Sequence, residues 1–259
     1  MKWGVVIAAG GTVEPELRQA IGSHRKALAR LGPRTSLAWT LDAVAEAGLG
    51  PCVTVTGSDV ADEIAHGEFV AEGRSAIDNA RLGLEALPKS VEAVLFIPAD
   101  TPLMDGPMLR EFAEGIDRRV EVDNWCAAGL TPAGRFREAF PEATYKALRL
   151  REGPHLSGAL YAASPIGLRT ALDLAGSMRR SRKSQLAMAK KLGILNMLRY
   201  FSGRVSVERA EAIVGRLLGI QTIIVPDCHP ATCLDFDTVE DWQHVLRAFE
   251  SRDSAGDFG

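Results

Sequence analysis

Trp3-Gly4-Val5-Val6-Ile7-Ala8-Ala9-Gly10-Gly11 begins almost at the N-terminus and ends in two alanines and two glycines. A short apolar run with no polar alternation fits a strand buried on both faces, which needs a parallel sheet covered by helices on either side. Glycines at its exit tolerate positive φ and let backbone approach a ligand closely. The N–H groups of such a loop can face anionic oxygens, and a lysine shortly downstream can neutralise them. Ala8, Ala9, Gly10, Gly11 and Lys26 therefore form a candidate phosphate cradle. The spacing is neither G-x-G-x-x-G nor G-x-x-x-x-G-K-[ST], so dehydrogenase and P-loop readings lose their main support.

Strands and helices alternate along the rest of the chain. Ser36 is placed as the N-cap of a helix whose apolar face holds Leu37, Leu41, Val44 and Ala45 and which Gly48 ends. Val53-Thr54-Val55-Thr56 reads as a strand, Phe69-Val70 as a shorter one, and Ile77, Ala80, Leu84 and Leu87 mark a helix stopped by Pro88. Ala93-Val94-Leu95-Phe96-Ile97 is the most apolar strand and belongs at the sheet centre. Its exit, Pro98-Ala99-Asp100, puts a carboxylate at the carboxyl edge, where open α/β sheets bind their ligands.

Farther on, Asp105 is expected to cap a helix, Trp125 to Leu130 to form a strand, and Thr131 to Glu142, which lacks a period, to form a long loop. Lys146 to Leu150 and Ser157 to Tyr161 read as strands. Residues 179–219 read as an appended helical segment, and its cluster of Arg179, Arg180, Arg182, Lys183, Lys190 and Lys191 is either a solvated face or, through Lys183, a contact for an anionic acceptor. Thr222 to Val225 returns to the sheet before a last helix around Trp242 to Phe249. Residues 1–250 are expected to form one domain with 179–219 as a helical insertion, and 251–259 a disordered tail.

Three stretches, in order, resemble the MobA-like NTP transferase family. They are the opening strand with Ala8-Ala9-Gly10-Gly11, Arg18, Lys26-Ala27-Leu28 and Ser36-Leu37; then Phe96-Ile97-Pro98-Ala99-Asp100-Thr101-Pro102-Leu103; then Asp235-Phe236-Asp237-Thr238-Val239-Glu240-Asp241. The resemblance implies a three-layer Rossmann-like nucleotide-diphospho-sugar transferase fold, with a mostly parallel central sheet, helices on both faces and a helical insertion near the C-terminal third. It also implies an enzyme that moves a nucleoside monophosphate from an NTP to a small phosphorylated or hydroxylated acceptor and releases pyrophosphate. The family more often has a short loop with an arginine close behind the glycines. Here Thr12 to Arg25 is longer, and which arginine meets the triphosphate stays open.

The family's first metal aspartate follows the central strand and its second precedes a threonine and the last helix, which implies Asp100 and Asp237 as magnesium ligands, with Asp235 as the competing second ligand. Magnesium suits such a site because it takes few carboxylates and keeps several waters. Lys26, Asp100 and Asp237 make up the implied catalytic set. Reading residues 235–237 as a strand, only one of the two aspartates is expected to face the cleft. Asp237 is preferred because Thr238 can cap the final helix. Gly73, Ser75 and Asn79 resemble the segment that contacts base and ribose in relatives, Gly158 the small-residue strand start that lets an acceptor approach, and Lys146 can meet an acceptor phosphate. Asp241 is read as a first-turn carboxylate.

Composition narrows the partners. A net charge of −3 over 259 residues gives no general attraction to nucleic acid or to an anionic membrane. The basic cluster lacks the interleaved aromatics of a single-strand binder. No run is long enough to span a bilayer, the opening run is too short for a signal sequence, and a cytoplasmic location is expected. Cys52, Cys126, Cys228 and Cys233 lack paired C-x-x-C spacing and read as reduced, mostly buried thiols, with Cys228, His229 and Cys233 as a minor metal alternative. The expected partners are an NTP and a small-molecule acceptor. Two competing functions are a glycosyltransferase using a nucleotide-sugar, whose D-x-D string Asp235-Phe236-Asp237 matches at the wrong end of the chain, and a non-catalytic nucleotide-sensing module. Base, acceptor and oligomeric state are not written in these motifs.

Overall fold

The structure is a computed structural model that describes residues 1–181 and 205–255. Its strands are β1 (Trp3–Ala8), β2 (Arg30–Leu31), β3 (Arg34–Thr35), β4 (Cys52–Thr56), β5 (Glu68–Ala71), β6 (Ala93–Pro98), β7 (Trp125–Pro132), β8 (Leu148–Leu150), β9 (Gly153–Ala163) and β10 (Gln221–Val225). Its helices are α1 (Pro15–Ile21), α2 (Ser36–Ala47), α3 (Ala76–Ala86), α4 (Gly106–Asp117), α5 (Ala133–Ala139), α6 (Pro165–Ser181), α7 (Val207–Leu218) and α8 (Val239–Ala255). The main sheet runs β10-β7-β9-β6-β1-β4-β5, with β8 paired to β9, while β2 and β3 form a separate hairpin. Strand β9 is antiparallel to β6, β7 and β8, and the other pairs of the main sheet are parallel. This is the mostly parallel α/β sheet that the apolar runs predict.

Alternation along β1 decides the layers, because neighbouring side chains leave opposite faces. Val5 and Ile7 join Leu95 and Ile97 of β6 against Leu37 and Leu41 of α2 and Leu109 and Phe112 of α4. Val6, with Val53 and Val55 of β4, packs against Leu84 and Leu87 at α3 and Leu168 of α6. A separate core gathers Leu17 and Ile21 of α1, Phe136 of α5, and Trp242, Val245 and Phe249 of α8 around Phe236. The long segment behind the glycines is thus a short amphipathic helix docked near the end of the chain. No helix among the described residues is long and apolar enough to cross a membrane.

Three local expectations change. Thr35, not Ser36, caps α2, its Oγ1 accepting from the Ala38 N–H at 3.2 Å. Ser36 lies inside the first turn, where its hydroxyl donates to the Ala99 carbonyl. The stretch Thr131 to Glu142 is not a long loop: β7 continues to Pro132 and α5 follows, burying Ala133 and Phe136, although a helix that short shows no readable period. Residues 251–255 are helical where a tail was expected. The Ser251 hydroxyl donates to the Arg247 carbonyl, and Arg252 Nη1 donates to the Leu103 carbonyl at 2.7 Å. Of the proposed insertion 179–219, the start lies in α6 and the end in α7. Arg182, Lys183, Lys190 and Lys191 lie outside the described residues.

Candidate active site

Three chain crossings meet at the carboxyl edge of the sheet. The Ala99 N–H donates to the Ala8 carbonyl at 3.0 Å, the Thr56 hydroxyl to the Ala9 carbonyl at 2.8 Å, and the Ser36 hydroxyl to the Ala99 carbonyl, so the exits of β1, β4 and β6 are tied together. Gly11, with φ of 86°, takes the backbone conformation that only glycine adopts freely. Lys26 opens a short 3-10 turn whose Ala27 is buried, which fixes where the lysine leaves the backbone.

Lys26 reaches both predicted aspartates. Its Nζ donates to Asp100 Oδ2 at 2.6 Å and also to Asp237 Oδ1, and it sits 5.7 Å from the centre of the Phe236 ring. Phe236 is fully buried and packs on Trp242, with ring centres 4.8 Å apart, so the Asp235–Asp237 segment is anchored by its middle residue. Burial pulls the Lys26 ammonium down, but Asp100 and then Asp237 outweigh it and hold it above the ordinary lysine range. Asp235 is pushed up to about 6 by burial and by the charges of Asp100 and Asp237.

The expectation that only one of Asp235 and Asp237 faces the cleft fails. The segment carries no strand pairing. Residues two apart in extended chain share a face in any case. With Phe236 buried, Asp235 feels the charges of Asp100, Asp237 and Lys26, and Asp237 accepts from Lys26. Thr238 does begin the last helix in a reciprocal cap: the Asp241 N–H donates to Thr238 Oγ1 at 3.2 Å, and Asp241 Oδ2 accepts from the Thr238 N–H at 2.9 Å.

A cavity of about 330 Å³ opens between α3 and strands β1 and β6, next to the glycine loop. Its lining includes Ala8, Gly10, Gly11, Gly73, Ser75 and Asn79, which brings the loop residues and the expected base and ribose residues to one place. Asn79 Oδ1 accepts from the Gly73 N–H at 2.7 Å, and Ser75 caps α3 by accepting from the Asp78 N–H. Ala9 is buried beneath the loop.

Neither Gly158 nor Lys146 lines this cavity. A Cβ at Gly158 would lie 2.9 Å from Thr232 Oγ1 and 3.2 Å from Cys233 Sγ, so packing accounts for this glycine. Lys146 is exposed ahead of β8, with no hydrogen bond or ion pair to the Lys26 group, and Lys183 lies outside the described residues. The four cysteines are free, burial raises their thiols, with Cys52 and Cys228 pushed up to about 12, and His229 Nδ1 accepts from the Ala231 N–H. Sequence reasoning missed Arg25, Asp59 and Glu72. Arg25 Nε donates to Asp59 Oδ2 and Arg25 Nη1 to Glu72 Oε1, each at 2.8 Å, beneath the glycine loop. The only signals were that Arg25 precedes Lys26 and Glu72 precedes Gly73.

The carboxyl edge of this α/β sheet thus carries a glycine loop and a cluster of carboxylates around one lysine. The model of the MobA-like NTP transferase domain matches residues 4–180, and the chain belongs to that family of nucleotidyltransferases. A hypothetical transferase from Thermus thermophilus is 27% identical with a TM-score of 0.79, covering 93% of this chain and 99% of its own. CMP:2-keto-3-deoxy-manno-octonic acid synthetase, solved with CTP, is 12% identical with a TM-score of 0.59, covering 97% of this chain and 100% of its own. A Mycobacterium tuberculosis protein in complex with manganese is 17% identical with a TM-score of 0.51, covering 95% of this chain and 99% of its own. The last two likenesses are of fold alone. A comparison with curated proteins finds no match.

Proposed function

We propose that this chain transfers a nucleoside monophosphate from an NTP to a small phosphorylated or hydroxylated acceptor, releasing pyrophosphate, with magnesium held by Asp100 and Asp237. The observation that carries this reading is one ammonium, Lys26, held between those two carboxylates beside the glycine loop. A pair of carboxylates that already shares one cation has the donor chemistry of a hard-cation site. Magnesium takes few protein oxygens and completes its shell with water and phosphate, so a pair of aspartates is enough. Magnesium bound there would neutralise charge on the reacting phosphates.

The residues have separable tasks. The Gly10–Gly11 loop presents backbone to the phosphates, and Lys26 neutralises oxygens that grow more negative as pyrophosphate leaves. Gly73, Ser75 and Asn79 form the wall of the cavity that would take the nucleoside. CTP in one structural neighbour and manganese in another support a nucleotide and a divalent cation as ligands. The test is pyrophosphate release from ATP, CTP, GTP and UTP against a panel of phosphorylated and hydroxylated metabolites. Release that requires one NTP, one acceptor and magnesium is expected. Turnover of a nucleotide-sugar without pyrophosphate would overturn the reading in favour of glycosyl transfer.

A further inference from the structure

Around Gly11 the hydrogen bonds close into a ring. Glu72 Oε2 accepts the Gly11 N–H at 2.8 Å, Glu72 Oε1 accepts from Arg25 Nη1 at 2.8 Å, and Arg25 Nη1 donates to the Gly11 carbonyl at 3.2 Å. Asp59 Oδ2 holds the far side of the guanidinium at 2.8 Å and lies 2.8 Å from His24 Nε2. The space for this ring is built in: a Cβ on Gly10 would collide with Glu72 Oε2, and one on Gly57 with Arg25 Nη2. The backbone N–H and the carbonyl of a single residue in the phosphate loop are therefore both held by one ion pair.

Glu72 also stands at a junction. Its N–H donates to the Thr56 carbonyl at 2.9 Å, and the next residue, Gly73, is held by Asn79 in the cavity wall. One carboxylate thus connects the loop that meets phosphates with the segment that lines the nucleoside cavity. Arg25, with a side chain only 10% exposed, offsets the negative charge of Glu72, so the carboxylate can stay at the loop without repelling a triphosphate at full strength. A loop fixed in advance binds with less ordering cost.

We propose that Glu72, acting with Arg25, is a positioning residue for the triphosphate, setting the Gly11 backbone and locking it to the nucleoside wall. This rests on the nucleotidyltransferase reading above. Substitution at Glu72 is compatible with folding, because Asp59 keeps the buried guanidinium paired.

The experiment is calorimetric titration of wild type, Glu72→Ala and Glu72→Gln with ATP, CTP, GTP and UTP, and separately with inorganic tripolyphosphate, all with magnesium. Glu72→Ala is expected to weaken the preferred NTP and tripolyphosphate by about tenfold at unchanged stoichiometry, the usual loss for a hydrogen bond to a charged group. Glu72→Gln, whose amide oxygen still accepts from Gly11, should stay within about threefold of wild type. A merely structural role would lower the binding-competent fraction and leave the Kd alone. Unchanged Kd in Glu72→Ala, or tighter tripolyphosphate binding in either variant, overturns the positioning role while leaving the parent reading intact. Failure of wild type to bind any of the four NTPs overturns the parent reading and this inference with it.

Discussion

Arg25 and Lys26 are neighbours in sequence, yet they serve opposite halves of one sheet edge under opposite charge regimes. Arg25, itself buried, is tied to Asp59, Glu72 and the Gly11 carbonyl in a closed ring. Lys26 faces three carboxylates, Asp100, Asp237 and, at longer range, Asp235, so that its half carries an excess of negative charge. The titrations separate the two regimes. The hydrogen bond from Arg25 holds Asp59 below the ordinary carboxylate range, while Asp235 is pushed up to about 6 by burial and by its acidic neighbours. Paired charge holds a shape, whereas unpaired excess invites a cation. Under the proposed function, the paired half would hold the loop that meets the phosphates in shape, and the aspartate half would be where a metal exchanges with the ammonium.

The largest break of this contrast is Asp100→Asn. Asp100 sits on the tied exit of β6 with its side chain only 16% exposed, the more rigidly held of the two carboxylates bonded to Lys26. Its loss should leave the melting temperature near wild type and lower turnover by about a hundredfold or more, the scale of losing one preorganised electrostatic group. Full activity with unaltered magnesium dependence in this variant would remove Asp100 from the metal site.

Removing the cation tests the same half from the other side. Lys26→Ala should raise the NTP KM and slow transfer, together about thirtyfold, as expected for a charge-assisted contact to phosphate. It should also tighten magnesium binding in the absence of NTP, because the carboxylates no longer share an ammonium. A Lys26→Ala enzyme with wild-type kinetics would make the lysine an internal counter-ion only. Smaller still is Asp237→Asn, expected to cost about tenfold in magnesium affinity, since its side chain is 74% exposed and water can replace part of what it gives. Asp235→Asn should cost less than Asp237→Asn, and the reverse order in a magnesium titration would exchange their roles.

The sequence made the aspartate half legible and left the loop half hidden, for a physical reason. Asp100 follows directly on an apolar strand, which carries it to the carboxyl edge, whereas Lys26 and Asp237 are reached through the loop and the resemblance to the family. The Arg25 ring depends on partners 34 and 47 residues away that no local pattern connects. Short elements were lost for a related reason, because α5 buries only Ala133 and Phe136 and offers too few turns to reveal a period. The acceptor side was least legible. Gly158 is a glycine because Thr232 and Cys233 approach it, which no sequence pattern distinguishes from room left for a substrate.

The smallest effect sharpens the contrast most cleanly, because it needs no substrate. Asp235 rises from an ordinary 3.8 to about 6 in the folded protein. A raised folded value means that folding favours the protonated form, so its contribution to stability is complete below about pH 4 and is lost as pH rises through about 6. Above that, the ionised carboxylate is a standing strain beside Asp100 and Asp237. In the presence of a chelator, Asp235→Asn should therefore melt about 2–4 °C above wild type at pH 8 and match it at pH 4, the shift expected for roughly 1 kcal/mol in a chain of this size. Magnesium at pH 8 should erase the advantage, since a bound cation turns the same carboxylate cluster from repulsive to attractive. An equal melting difference at both pH values would mean that Asp235 does not share the charge of the cluster, and the aspartate half would then hold only two coupled carboxylates.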